Sequence, residues 1–360
     1  MKRSTLMLVF AVIAASLAGT ATAQVEGIEP RWSPEKAMAW YNKLPWLVGC
    51  NFTPSTAINQ LEMWQEDTFD PETIDRELGW AAGIGFNTVR VYLHDLLWED
   101  DAEGLKKRMN KYLEIADSHG ILTMFVIFDD CWNHFPKIGK QPEPKSGTHN
   151  SGWVQSPSEA IVLDKSKWGR LETYVKGVLT AFSGDERILL WDLYNEPGNQ
   201  KLEGRSYDMV KSTIEWAQEA NPSQPLSIGE WKTGGDFDKL NALQEAGSDV
   251  ITFHEYNNFE RMEERIRRLK KTGRPVLCTE YMARTRGSRF ETFLPVFKWE
   301  NVGAYNWGLV SGKTNTIYQW DTIYTSEPDP WFHDIFRKDG TPYRDWEVRL
   351  ISELTNRDAE

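Results

Sequence analysis

LLWDLYNEP, residues 189–197, is an apolar run that stops abruptly at an asparagine, a glutamate and a proline. A continuous apolar run of this length is typical of a parallel strand that is buried on both faces. A second run of this kind, PVLCTEY, begins at Pro275 and places Glu280 at its end. The two runs therefore predict two buried strands, each with a glutamate at its carboxyl end.

The rest of the chain alternates short apolar strands with amphipathic helices, and no linker or low-complexity break follows residue 24. We predict strands at 46–52, 88–93, 121–128, 188–194, 225–229, 250–253, 275–279 and 303–307. Helices are predicted at 71–83, 105–119, 167–182, 207–220, 237–246, 262–272, 290–300 and 345–354. Long loops follow strand three (134–160) and strand eight (308–340). This order predicts a single-domain α/β fold, a (β/α)8 TIM barrel. An open doubly wound sheet is less favoured because its Gly-rich turn after strand one is missing.

The first 23 residues have the pattern of a secretory signal peptide. Lys2 and Arg3 precede the apolar stretch 6–17, and Ala21-Thr22-Ala23 forms a small-x-small cleavage site. The apolar stretch is too short to span a membrane. We therefore expect 1–23 to be removed, leaving a single domain at 24–360 that is periplasmic or extracellular and has no membrane insertion.

The net charge of the chain limits the kinds of partner that it is expected to bind. The chain carries a net charge of −12 and no basic block, which argues against nucleic acid and anionic membrane as partners.

An exported protein could pair two of Cys50, Cys131 and Cys278. However, each lies in or beside a predicted core strand, so we favour free, buried cysteines. A monomer is the default expectation.

Functional residues of such a barrel collect at the carboxyl ends of its strands. The chain places polar and aromatic side chains there in every case, and together they would line one cavity. The 17 tryptophans include three at these ends, whose rings can stack on the apolar faces of sugar rings. In chain order the strand-end residues are Asn51, Arg90, His94, Asp129, Trp132, Asn195, Glu196, Glu230, Trp231, His254, Tyr256, Glu280 and Trp307.

This set resembles the clan A retaining β-glycosidases, most closely glycoside hydrolase family 5, the cellulase-like group. The resemblance spans roughly residues 45–310 and implies an O-glycosyl hydrolase that acts on β-linked oligo- or polysaccharides. The matching segments are VRVYL with Arg90, WDLYNEP with Asn195 and Glu196, FHEY with His254 and Tyr256, CTEY with Glu280, and YNWGL with Trp307.

The resemblance implies two catalytic roles that agree with the chemistry of paired carboxyl groups. Glu196 would be the general acid and then the base, and Glu280 the nucleophile that forms a glycosyl-enzyme. Arg90 would keep Glu280 ionised by charge pairing, although it could instead form a structural ion pair. The Tyr256 hydroxyl could donate to the same carboxylate.

The resemblance also implies contacts with the sugar. Asn195 would hold the 2-hydroxyl, His254 would bond substrate or Glu196, and Trp307 would form the floor beneath the attacked sugar. Trp132 and Trp231 either pack in the core or contact sugar. Asp129 and Glu230 either contact sugar hydroxyls or cap loops.

The chain departs from the family pattern after strand three. Many members carry a histidine there, whereas this chain reads FDDCWNHF and places His134 a few residues late. His94, after strand two, could fill that space. The departure puts the identity of the sugar in doubt. A loop at 308–321 could wall off one end of the cleft, which slightly favours exo over endo action.

Three other functions are known for barrels of this kind or for the same chemistry. A metal-dependent hydrolase on this barrel would need His-x-His after strand one, and this chain has Asn51-Phe52 there. We therefore predict no metal and no cofactor. A carbohydrate-binding barrel without activity is possible on this fold. A transglycosylase would use the same glycosyl-enzyme and pass it to a sugar, which the sequence cannot separate from hydrolysis.

Overall fold

A computed structural model describes residue 25 and residues 27–355. The predicted signal peptide, 1–23, lies outside these residues. Within them eight parallel strands form one sheet, which confirms the predicted (β/α)8 barrel. The strands are β1 (Val48–Asn51), β2 (Thr88–Tyr92), β3 (Leu122–Asp129), β4 (Ile188–Asn195), β5 (Leu226–Ser227), β6 (Ile251–His254), β7 (Val276–Tyr281) and β8 (Gly303–Trp307).

The barrel closes between β5 and β6. The sheet runs in the order β5-β4-β3-β2-β1-β8-β7-β6. Glu230 joins its ends, because its N–H donates to Thr252 O at 3.1 Å and its carbonyl accepts from His254 N at 2.9 Å. β5 is shorter than the predicted 225–229, since Pro225 has no N–H to donate and Gly229 weakens a strand.

Helices cover the outside of the barrel at positions close to the predicted ones. The Asp70 carboxylate caps the helix at Pro71–Gly83 by accepting from Thr73 N at 3.1 Å. The helices are α1 (Pro34–Tyr41), α2 (Gln60–Trp64), α3 (Pro71–Gly83), α4 (Asp95–Ser118), α5 (Glu159–Val162), α6 (Gly169–Ala181), α7 (Tyr207–Ala220), α8 (Asp236–Gly247), α9 (Phe259–Leu269), α10 (Phe290–Trp299) and α11 (Asp345–Thr355). None of the helices within 25 and 27–355 has the length and apolar character to span a membrane.

Strand alternation decides which side chains enter the barrel. Val89 and Val91 of β2 pack into the apolar layer beneath the helices. Arg90 lies between these two valines and Tyr92 follows them. Both therefore point into the barrel, because successive side chains of a strand face opposite sides. Below them an apolar plug closes the amino-terminal end of the barrel; its members include Leu47, Met124, Leu190, Val250, Leu277 and Tyr305. The polar upper layer is therefore supported by a packed floor. Cys50, Cys131 and Cys278 are free and buried.

Candidate active site

A cavity of about 250 Å³ lies at the carboxyl ends of the strands. Glu196 follows β4, Glu280 lies in β7, and both line it. One oxygen of each glutamate and a ring nitrogen of His254 all lie within 4.8 Å of one another. The two carboxyl groups thus face each other across the cavity. The remaining lining residues are Cys131, Trp132, His149, Asn150, Trp153, Asn195, Asn199, Trp231, Tyr256, Trp307 and Trp320.

The Glu280 carboxylate is held by three donors. Its Oε1 accepts from Arg90 Nη1 at 3.0 Å and from the Tyr92 hydroxyl at 2.9 Å, and its Oε2 accepts from the Tyr256 hydroxyl at 2.9 Å. Burial raises the pKa of Glu280 and the nearby Glu196 raises it further, while Arg90 and the hydrogen bond from Tyr256 act in the opposite direction. The donors fix the orientation of this carboxyl group in the cavity.

Arg90 connects Glu280 to the opposite side of the barrel. Its side chain is fully buried. Its Nε donates to Asp192 at 2.8 Å and its Nη2 donates to Asn195 Oδ1 at 2.8 Å. Because a buried guanidinium is costly unless it is paired, Asp192 stabilises the cation that Glu280 uses. Arg90 therefore makes both contacts considered for it, a structural ion pair and a bond to Glu280.

Glu196 has a different set of partners. Its Oε2 accepts from the Cys131 thiol at 3.2 Å and from the Asn199 amide, and its Oε1 lies 2.9 Å from His254 Nδ1. Burial raises the pKa of Glu196. Burial also lowers the pKa of His254 to about 3, so this imidazole is neutral near pH 7. The backbone of Glu196 has φ 43°, in the left-handed region.

Asn195 lines the cavity with both ends of its amide fixed. Its Oδ1 accepts from Arg90, and its Nδ2 donates to Asp129 Oδ1 at 2.8 Å. Asp129 itself is not a lining residue, and Trp153 Nε1 donates to its Oδ2 at 2.7 Å. A sugar contact by Asp129 is therefore wrong: its carboxylate lies beneath the cavity, where it positions Asn195 and Trp153.

Glu230 and His94 also lie away from the cavity, so the sugar contacts expected for them are corrected. The Glu230 carboxylate bonds to Arg265 and Arg268 of α9, outside the barrel. His94 is fully buried and caps α4, where its Nδ1 accepts from Leu96 N at 3.1 Å. After β3, where many family members carry a histidine, the side chain next to Glu196 is Cys131.

The predicted tryptophans Trp132, Trp231 and Trp307 all line the cavity, as does Tyr256. His134 does not, and its Nδ1 pairs with Glu159 at 3.0 Å. The structure adds residues that sequence reasoning missed. Tyr92 could have been found, because it stands two residues after Arg90 on one strand and so shares its face. Cys131, His149, Asn150, Trp153, Asn199 and Trp320 lie in loops, where no periodicity marks an inward side chain.

Glu196, His254 and Glu280 have the spacing of metal ligands. Glu280, however, already accepts from the Arg90 guanidinium at 3.0 Å. A permanent cation at this distance opposes a second cation on the same carboxylate. The arrangement fits proton transfer and nucleophilic attack better than metal binding.

Comparison with known proteins identifies the family. A family model described as Cellulase (glycosyl hydrolase family 5) matches residues 54–311. The chain belongs to glycosyl hydrolase family 5. The resemblance noted in its strand-end motifs is thereby confirmed.

This family 5 chain is also similar to two curated proteins. Each is named probable mannan endo-1,4-beta-mannosidase A, one from Aspergillus flavus and one from Aspergillus oryzae. In both cases the identity is 23% over 200 residues, which is 48% of this chain and 49% of the relative. The chain thus spans about half the length of the curated relatives it matches.

Solved structures share the barrel. A GH5_18 variant from Streptomyces cattleya, in complex with Manb1-4GlcNAc, matches with a TM-score of 0.59 and 12% identity, covering 86% of the family 5 chain and 80% of that one. An endo-beta-1,4-mannanase from Thermotoga petrophila matches with a TM-score of 0.57 and 15% identity, covering 86% and 76%. At these identities the matches establish the fold.

Proposed function

We propose that the protein is a retaining β-glycosidase that hydrolyses O-glycosidic bonds of β-linked oligo- or polysaccharides. The observation that carries the proposal is the pair of facing carboxyl groups, whose nearest atoms and His254 lie within 4.8 Å. Retaining enzymes hold their two carboxyl groups about 5–5.5 Å apart, whereas inverting enzymes need roughly 6.5–9.5 Å to admit a water. The short gap favours retention.

In the first step Glu280 attacks the anomeric carbon of the sugar. A bond forms between its carboxylate oxygen and that carbon while the glycosidic carbon–oxygen bond breaks. The leaving oxygen takes the proton of Glu196, so the alcohol departs neutral. The product of this step is a glycosyl ester on Glu280 and a Glu196 carboxylate.

In the second step water releases the sugar. The Glu196 carboxylate takes one proton from a water whose oxygen bonds to the anomeric carbon, and the ester bond to Glu280 breaks. Both carboxyl groups return to their starting protonation states. Two displacements at one carbon preserve its configuration.

The neighbours of the two glutamates support this assignment of protons. Glu280 accepts from a permanent cation and two hydroxyls, which favour its ionised form. Glu196 accepts from a thiol and an amide and lies against the neutral His254. Glu196 is therefore the carboxyl group that is protonated in the proposed first step. Asn195, whose amide is fixed by Arg90 and Asp129, would contact the 2-hydroxyl of the attacked sugar.

We take β-1,4-mannosides as the first substrates to test, because the two curated relatives are named for mannan. The proposed place of action is outside the cytoplasm, since residues 1–23 have the pattern of a signal peptide.

The test is a screen of the purified full-length chain, with export and processing by the host, against β-linked manno-, gluco- and xylo-oligosaccharides. Proton NMR during turnover should show the β-anomer of the released sugar first. The α-anomer first would mean inversion and would contradict the assignment of Glu280. Binding of an oligosaccharide without turnover would instead favour a carbohydrate-binding barrel. A chelator should leave the rate unchanged, and a requirement for added metal would overturn the metal-free mechanism.

A further inference from the structure

We infer that the cavity accepts a single sugar ring beyond the cleaved bond, so the protein removes sugars one at a time from the non-reducing end. The inference rests on the proposed function and concerns the same site. It follows from three interlocked loops and one buried tryptophan that close the cavity opposite Glu196.

The position of the proton donor sets the direction of the substrate. Glu196 follows β4, and the departing part of the substrate must lie on its side, where Trp132 follows β3 and Trp231 follows β5. β8 lies four strands from β4 in the sheet order, on the opposite side of the barrel. The attacked sugar therefore points its non-reducing end toward Trp307 and the strands β1 and β2 behind it.

Three loops meet on that side, and each bonds to the other two. Asn59 Nδ2, after β1, donates to Gly152 O, after β3, at 2.8 Å. Asn150 N donates to Thr314 O, after β8, at 2.8 Å, and Lys313 N donates to Ser55 O at 3.0 Å. Because the three bonds form a closed triangle, the loops build one continuous wall.

Trp153 fills the passage through this wall. Its side chain is 1% exposed, and its ring packs edge-on against Tyr92 at 5.1 Å and against Trp307 at 5.8 Å. The hydrogen bond from its Nε1 to Asp129 fixes the ring in place. An extended chain would have to displace this indole in order to run past Trp307.

The space behind Trp153 is too small for a second sugar. It measures about 20 Å³ and is bounded by Asn51, Thr314, Thr316 and Asp334 among others. A volume of roughly 10–15 Å³ is needed for one water, so this recess has room for about one water molecule and not for a sugar ring.

The opposite side of the cavity is more open. Asn199 and Trp231, on the side of Glu196, are half-buried, whereas Asn150, Trp153 and Trp307 are buried. The main cavity, about 250 Å³, is smaller than the roughly 300–1,000 Å³ of sites for drug-sized ligands. One ring fits inside, with the remainder of the substrate leaving past Glu196.

The deciding experiment follows products from chains of different length. Oligosaccharides of three to six units, from the β-linked series that the screen finds to be hydrolysed, are labelled at the reducing end. At early times each should give only the free monosaccharide and a labelled chain one unit shorter. A disaccharide or longer fragment from the non-reducing end would overturn the inference but leave the proposed function standing. Hydrolysis of no β-glycoside would overturn both.

A second substrate tests the wall directly. A 4-O-methyl group on the non-reducing terminal sugar should slow hydrolysis about 10- to 200-fold, the range for one group that a pocket cannot hold. Hydrolysis at the rate of the unmodified chain would contradict a closed pocket.

A matched pair of variants then locates the barrier. Trp153→Ala should open the passage and allow disaccharide release, provided that circular dichroism shows a native fold. Trp231→Ala removes an equal volume from the open side and should still give only monosaccharide, at a lower rate. Monosaccharide alone from a folded Trp153→Ala would show that Trp153 is not the barrier. The products of the unaltered protein decide the inference if Trp153→Ala does not fold.

Discussion

Glu280 and Glu196 lie in one cavity but are held in different ways. Glu280 accepts from Arg90, Tyr92 and Tyr256, and a further ion pair to Asp192 keeps Arg90 in place. The partners of Glu196 are a thiol, an amide and a neutral imidazole. The same residue type thus accepts from a guanidinium and two hydroxyls in one case and has no charged donor in the other. In the proposed mechanism, these neighbouring residues separate the role of nucleophile from that of acid.

The largest effect is expected from Glu280→Gln. The amide cannot form the glycosyl ester, so kcat should fall on the order of 10⁴-fold or more. Steady-state kinetics on a hydrolysed β-glycoside measures the loss, and thermal unfolding checks the fold. Glu260→Gln, an exposed change on α9, is the matched control and should keep full activity. Substantial turnover by Glu280→Gln would reverse the assignment of nucleophile.

Glu196→Ala should separate substrates by their leaving group. Loss of the acid should cost about 10²–10⁴-fold for a sugar leaving group, which needs the proton. The first step on a dinitrophenyl glycoside should change little, because that leaving group departs without protonation. The comparison uses the pre-steady-state burst of the released phenol. An equal loss in the first step for both substrates would show that Glu196 is not the acid.

Tyr92→Phe removes one of the three donors to Glu280. Hydrogen bonds to charged groups contribute about 1.5–3 kcal/mol, so kcat/KM should fall roughly 10- to 150-fold. Tyr305→Phe is the control, because its hydroxyl contacts Thr88 at 3.0 Å in the barrel floor. If the two variants lose activity equally, the contact between Tyr92 and Glu280 has no special part in the reaction.

The smallest effect is expected from Cys131→Ala. The thiol donates to the ionised form of Glu196 and so lowers the pKa of that carboxyl. Removing it should raise the pKa. Since Glu196 must be protonated to act as the acid, the basic limb of the activity profile should move upward, by about a few tenths of a pH unit. Cys50→Ala, a buried change elsewhere, should not move it, and a downward shift in Cys131→Ala would contradict the contact.

Much of the fold could be predicted, because the spacing of apolar residues and the residues that end a strand can be read from short segments of sequence. The helices at Pro71–Gly83 and Tyr207–Ala220 and the strand at Gly303–Trp307 have their predicted bounds. The start of α4 was missed: it begins at Asp95, and the acidic segment before residue 105 turns through a non-helical Asp101. The short helices α1 and α2 were also missed.

The site could be predicted only where strands carry it. Residues of β2, β4, β6 and β7 follow from alternation and strand ends, and these include Arg90, Asn195, His254 and Glu280. The Glu230 side chain was expected in the cavity, but it lies outside the barrel. The reason is that β5 ends at Ser227, so the residues after it do not continue the alternation of side chains along a strand. Trp153 was not found, since its position depends on distant loops that pack on each other, whereas Trp320 belongs to the loop at 308–321 that was expected beside the cleft.

The backbone at Glu196 has a consequence for stability. A residue with a side chain in the left-handed region costs about 1–3 kcal/mol, and glycine or asparagine would pay less there. Folding alone would therefore favour glycine or asparagine at this position, and the proposed proton transfer would come at a cost in stability. Melting of a Glu196→Asn protein at a higher temperature than the parent would reveal the size of that cost.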